Sequence, residues 1–245
     1  MTVDFHFHVA STRGAPGSGV PPMGCAISQA PADNSRYLRF SQEWDVACAL
    51  FTHPRSKDYA HVVRAVSKRK ALSYQHFELF SAADLDLLTA ALEACDAAEV
   101  PAVIHISRHD EHRFPEVEAA NVLNRVLGRH PEIQIIISHC GGENVKVALE
   151  FAKDCPRVLL DTSRLEETSR RGGFNGAADV LSEIGRSVPS RRLIYGSDAA
   201  WPGESSVHAD RQTLARVFTA EEVNAICEKN AAVLLRNLGR ARTLQ

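Results

Sequence analysis

Two histidines one residue apart stand near the start of the chain, His6 and His8 in the segment TVDFHFHV. On an extended strand alternate side chains share a face, so both imidazoles project the same way and two nitrogen donors can grip one divalent ion. A His-x-His pair also arises by chance among surface or packing residues, and the weight of the reading comes from what lies downstream. Three later apolar runs each end in a residue able to bind metal or move a proton: His105 closes PAVIHIS, His139 closes IIISHCGG and Asp198 closes LIYGSDAAW. One histidine at a strand end is ordinarily a satisfied structural residue. Four histidines and an aspartate in a repeated frame are hard to explain as packing, because buried polar groups are costly unless paired.

These five side chains are far apart in sequence, so the fold has to gather them. From residue 100 onward VPAVIHIS, IQIIISHC, RVLLDTS and RRLIYGSD read as strands buried on both faces, the pattern of a parallel sheet. Upstream, residues 2–8, VACALFT (46–52) and ALSYQ (71–75) read as three more, with a helical segment over 59–68. Ser81 with Asp84 predicts a capping box ahead of Leu85, Leu88, Leu92 and Cys95, and Thr219 with Glu222 predicts another ahead of Val223, Ile226 and Val233. The β-then-α repeat leaves a closed barrel and a doubly wound open sheet both open. In a TIM-like (β/α) barrel all strand C-termini gather on one face, and the five candidate groups then surround one spot. Residues 10–36, rich in Gly, Pro, Ser and Ala, are expected to form a long loop at that edge, either a lid over the site or a surface excursion.

A chain of 245 residues, 44% hydrophobic, can bury one large core, so 1–245 is read as a single domain. The net charge of -2, with signs interspersed, indicates neither a nucleic-acid nor a membrane-surface partner. The N-terminus lacks a signal-peptide pattern and no apolar run is long enough to span a bilayer. Six cysteines without CxxC spacing are expected to be reduced, which places the protein in the cytoplasm. Cys140, beside His139, is read as buried and inert.

The set DFHFH, VIHIS, ISHCGG, YGSDAAWPG and KNAAVLLRN, running from residue 4 to about 237, resembles the amidohydrolase superfamily, in particular its amidohydrolase-related (amidohydrolase 2) branch of metal-dependent hydrolases and decarboxylases. That resemblance implies a distorted TIM-like barrel holding one divalent metal ion, zinc before manganese, on His6, His8, His105 and Asp198, with His139 beside it as a catalytic, non-ligating group. In two-metal members a carboxylated lysine or a glutamate ends the fourth strand. Here ALSYQHF offers neither in line, Lys70 preceding it and Glu78 falling beyond. The chain is also short: two clear strands precede the His105 strand after the first, where a full barrel needs three. Either a short strand lies near residues 25–28 or the barrel is incomplete.

The activity implied is hydrolysis of a small cyclic ester or amide. Asp198 would take the proton of the attacking water, and His139 would stabilise the oxyanion alongside the metal. The runner-up is non-oxidative decarboxylation of an aromatic or enol carboxylic acid, with His139 or Asp198 protonating the carbon. For an acidic substrate Arg108 and Arg164 could pair with a carboxylate, Trp201 could wall the site and His76 could line it. A TatD-like deoxyribonuclease is similar in size and in VIHISRHD, but the strand-four glutamate is missing, the Gly196-Ser197-Asp198 context differs, and there is no excess positive charge for phosphates. A non-catalytic metal-binding barrel would not need the extra histidine at an open side. By family analogy the protein would be a homodimer acting on a small-molecule substrate.

Overall fold

The computed structural model describes residues 3–9, 24–76, 86–87, 89–107, 116–199 and 207–240, with the backbone alone at 76, 207–208 and 236–240. Eight parallel strands run in sequential order: β1 (Asp4–Phe7), β2 (Gly24–Ile27), β3 (Ala47–Phe51), β4 (Leu72–His76), β5 (Ala102–His105), β6 (Ile135–Ile137), β7 (Val158–Asp161) and β8 (Leu193–Ile194). The chain leaving β8 returns to β1: Phe5 N–H donates to the Tyr195 carbonyl (2.9 Å), Ser197 N–H to that of His6 (3.0 Å) and His8 N–H to that of Ala199 (2.8 Å). The first and last strands are therefore neighbours, which excludes the open doubly wound sheet and gives a nearly closed TIM-like barrel.

Helices lie between the strands. They are α1 (Asn34–Trp44), α2 (Tyr59–Ser67), α3 (Thr89–Ala97), α4 (Glu116–Arg129), α5 (Val145–Asp154), α6 (Leu165–Gly172), α7 (Ala177–Ser187), α8 (Val207–Leu214), α9 (Ala220–Asn224) and α10 (Asn230–Arg240). Several turn an apolar stripe to the sheet, as Val145, Ala148, Leu149 and Ala152 do on α5 and Val180, Leu181 and Ile184 on α7. Strand residues are buried on both faces, Ile135, Ile136 and Ile137 completely.

Of the two alternatives for the missing strand, the short one near residues 25–28 holds, and it lies inside the segment expected to be loop. Residues 24–27 form β2, residues 31–33 a 3-10 turn and Asn34 opens α1, so the expectation of a loop over 10–36 fails from Gly24 onward; residues 10–23 lie outside the described residues. Four residues are too few to show a period, and the turn-formers sit where the chain needs them. A Cβ on Gly24 would lie 1.9 Å from the Asp4 carbonyl oxygen, so only glycine permits β2 to approach β1 there. Asn34 clips α1 to β3 by donating Nδ2–H to the Phe51 carbonyl (2.9 Å) and accepting Phe51 N–H (2.8 Å).

At the C-terminal side the predicted capping box forms, Thr219 Oγ1 accepting Glu222 N–H (3.3 Å) and Glu222 Oε2 accepting Thr219 N–H (3.0 Å). Val223 and Ile226 are buried, but Val233 is 58% exposed. The cause is a π-turn at Ala225–Lys229, whose extra residue rotates everything beyond it by about 100°. Ala231, Leu234 and Leu235 face the core in its place. The capping box at Ser81 and Asp84, with Leu85 and Leu88, lies outside the described residues; Leu92 and Cys95 are buried on α3. Among the described residues no helix is long and apolar enough to cross a membrane.

Candidate metal centre

Alternation along β1 sends Asp4, His6 and His8 to one face and the buried Phe5 and Phe7 to the other. His6 donates Nδ1–H to Asp161 Oδ2, and His8 donates Nδ1–H to the Ile27 carbonyl (2.7 Å). The second nitrogens of both rings then meet at one atom: His6 Nε2 lies 3.1 Å and His8 Nε2 3.0 Å from Asp198 Oδ1. With both Nδ1 protons committed elsewhere, the two Nε2 atoms converge on one carboxylate oxygen, where a divalent ion could take the place of the proton that the carboxylates hold on His6. A tetrahedral ion with ligands at ~2.0–2.1 Å spaces its donors about 3.3 Å apart, within a few tenths of the separations seen here. The donor set fits a divalent metal.

Four imidazoles follow one another around the barrel mouth, with centroids 5.2 Å apart from His8 to His6, 4.8 Å from His6 to His139 and 5.0 Å from His139 to His105. His6, His8 and Asp198 form one three-donor group among the described residues, and His6, His139 and Asp161 form another. His105 belongs to neither; it stands one ring further round, completely buried, with Nε2 3.4 Å from Ser107 Oγ.

The residues that leave β6, β7 and β8 at the site share a left-handed backbone, with φ of 54° at His139, 55° at Arg164 and 56° at Asp198. Such conformations cost about 1–3 kcal/mol each outside glycine and collect at functional sites. After His139 the left-handed run continues through Cys140, Gly141 and Gly142, and a Cβ on Gly142 would lie 2.4 Å from Ser107 Cβ.

Two carboxylates the sequence reading passed over support this cluster. Asp161, at the end of β7 and completely buried, accepts from His6 and, through Oδ1, from Ser163 N–H (2.8 Å). Asp4 accepts Ser197 N–H on Oδ1 (2.9 Å) and Ser197 Oγ–H on Oδ2 (2.6 Å), fixing the turn that presents Asp198. Both had a signal: Asp161 ends RVLLD as His105 ends its run, and Asp4 shares the strand face of His6 and His8. Ser163 Oγ lies 2.7 Å from His139 Nδ1.

Burial disfavours charge on His6, yet the Asp161 and Asp198 carboxylates outweigh it and hold its pKa well above the ordinary histidine value. Burial likewise opposes charge on Asp198 and Asp161, and their histidine partners hold Asp198 well below the carboxylate range and Asp161 below its ordinary value. His139 is pushed down to about 3, by burial first and then by the His6 cation, so its ring is neutral. Burial lifts Asp4 to about 6 against its bonds from Ser197. The Cys140 thiol, pushed up by burial and donating to the Asp161 carbonyl (3.2 Å), is not a thiolate.

Beside His139 lies a small recess, partly open to solvent and lined by Ser107, Gly142, Arg164, Glu167, Thr168 and Arg171. Arg164 brings Nε to 3.3 Å from Asp198 Oδ2 and pairs with Glu167. Arg171 joins Glu167 (3.6 Å) to Glu143 (3.4 Å), so an alternating charge network runs from the metal-ligand candidate Asp198 along one face of α6. Of the remaining predicted substrate contacts, Arg108 and Trp201 lie outside the described residues. His76 ends β4 in register with His105, and its side chain is not described.

In overall structure the chain is similar to dihydroorotase from Campylobacter jejuni (TM-score 0.63, 14% identity, covering 96% of this chain and 83% of that one). It is similar to amidohydrolase 2 from Bifidobacterium longum subsp. infantis (TM-score 0.62, 16% identity, 96% and 98%). A third likeness is to 4-oxalomesaconate hydratase from Rhodopseudomonas palustris (TM-score 0.54, 15% identity, 86% and 72%). A search of curated proteins returns no significant match. The amidohydrolase family model matches residues 60–236, from the first turn of α2 into the last helix, and by that match the chain belongs to the amidohydrolase family.

Proposed function

We propose that the protein is a metal-dependent hydrolase that opens a cyclic ester or amide of a small, carboxylate-bearing molecule. Membership of the family supports an enzyme of hydrolase or related lyase type, and amidohydrolases typically bind divalent metals. The observation that carries the finer reading is the convergence of His6 Nε2, His8 Nε2 and Asp198 Oδ1 beside a neutral His139 and a guanidinium.

His6, His8 and Asp198 would hold one divalent ion, zinc before manganese, with His105 as a fourth donor. When bound, the ion supplies Lewis-acid polarisation of a carbonyl and acidifies water at the site. Asp198 takes the proton of the attacking water and returns it to the leaving group. His139 donates a hydrogen bond to the oxygen on which negative charge develops. Arg164 holds the substrate carboxylate through paired N–H donors, orienting the scissile bond over Asp198. Among the structural neighbours, a dihydroorotase and a hydratase of 4-oxalomesaconate are named for acidic molecules.

The same arginine gives decarboxylation its one supporting observation, since a carboxylate held there lies beside His139, which would protonate the carbon as carbon dioxide leaves. A panel of carboxylate-bearing lactones, cyclic amides and aromatic acids, followed at once for acid and for carbon dioxide, separates the two. Acid release without carbon dioxide is the expected result. Carbon dioxide without net hydrolysis overturns the hydrolase reading.

A further inference from the structure

We propose that Asp161 and Ser163 are positioning residues that fix the ring protons of two histidines, so that His6 binds an ion through Nε2 and His139 presents its Nε2–H as a donor. The inference rests on the ion site proposed above. Asp161 is sealed from solvent, with Oδ1 satisfied by Ser163 N–H and Oδ2 by His6 Nδ1–H. That bond holds the His6 proton on Nδ1, fixes the ring plane and makes Nε2 a better electron-pair donor. Ser163 Oγ, equally buried, lies 2.7 Å from His139 Nδ1 and 3.4 Å from His6 Nδ1. Because the His6 nitrogen already carries a proton, the Ser163 hydroxyl hydrogen has His139 Nδ1 as its acceptor. The remaining His139 proton therefore sits on Nε2, on a ring that lines the recess. Gly196 leaves room for the arrangement, since a Cβ there would lie 2.5 Å from Asp161 Oδ1 and 2.6 Å from His6 Cβ.

The test uses full-length protein with 15N-labelled histidine, loaded with 113Cd, and zinc affinities measured by chelator competition. Expected are cadmium coupling to His6 Nε2 with a proton retained on Nδ1, and His139 protonated on Nε2. D161N should weaken zinc binding ~10–100-fold, the usual effect of removing a carboxylate behind a ligating histidine. S163A should leave zinc affinity unchanged while redistributing the His139 proton. Coupling through His6 Nδ1, a His139 proton on Nδ1, or wild-type zinc affinity in folded D161N overturns the proposal. Should D161N fail to fold, the coupling pattern of the wild-type protein decides alone. Failure of wild-type protein to bind any ion overturns the ion site itself, whereas binding with the wrong coupling overturns only the role of Asp161 and Ser163.

Discussion

Replacing Gly196 by alanine probes the tightest packing around the site. The added Cβ would lie 2.5 Å from Asp161 Oδ1, 2.6 Å from His6 Cβ and 3.2 Å from Ser163 Cβ. Carbon atoms in ordinary contact sit about 3.5–4.0 Å apart, so roughly 1 Å has to be found among side chains that are almost completely buried. No left-handed backbone is involved at this glycine, so crowding alone sets the cost. Overpacking of this kind costs ~1–3 kcal/mol. For a chain of this length that lowers Tm by about 2–4 °C per kcal/mol, roughly 2–12 °C in all. The shift also parts His6 from Asp161, so zinc affinity should fall by about tenfold or more. Thermal unfolding followed by circular dichroism, with and without zinc, reads both effects. If G196A melts with the wild-type protein and binds zinc as tightly, the His6–Asp161 pair is not packed as described.

Zinc binding should strengthen with pH. In the metal-free site Asp161 and Asp198 hold a proton on His6, its raised pKa keeps that proton in place through neutral pH, and the ion has to displace it. Apparent affinity then rises about tenfold per pH unit between about pH 6 and 8, and a flat profile by calorimetry would count against the displacement. R164K, which loses the paired donors, should raise KM for a carboxylate substrate about tenfold or more, from the ~1.5–3 kcal/mol of a charge-assisted hydrogen bond. An uncharged analogue should be unaffected, and equal loss with both substrates would remove the assigned role. The π-turn makes a paired forecast for urea unfolding: I226A should cost ~2–5 kcal/mol and V233S no more than about 0.5 kcal/mol, and the reverse order would mean the helix continues in phase.

Most of the barrel was legible because its strands are buried on both faces and read as continuous apolar runs, as β5, β6 and β7 do. β2 was legible only through the strand count, which left a short strand near residues 25–28 as one of two alternatives, because four residues flanked by glycine and proline carry no local period and are held as a strand by pairing on both sides. Val233 was misassigned for a related reason: a π-turn shifts helical phase without marking the sequence. At the candidate site, strand-end position singled out His6, His8, His139 and Asp198, whose side chains lie together at the mouth, and His105, which stands one ring away. Asp4 and Asp161 were missed because their work is done through other side chains, Ser197 and His6, and such pairings join residues more than 150 positions apart.

Metal analysis of the purified protein and of its H8A and D198A variants tests the central claim most directly. The convergence of two imidazole nitrogens on one carboxylate oxygen predicts about one equivalent of a divalent ion in the wild-type protein and its loss from both folded variants. A wild-type protein that stays folded and binds no ion even when zinc or manganese is supplied would contradict it.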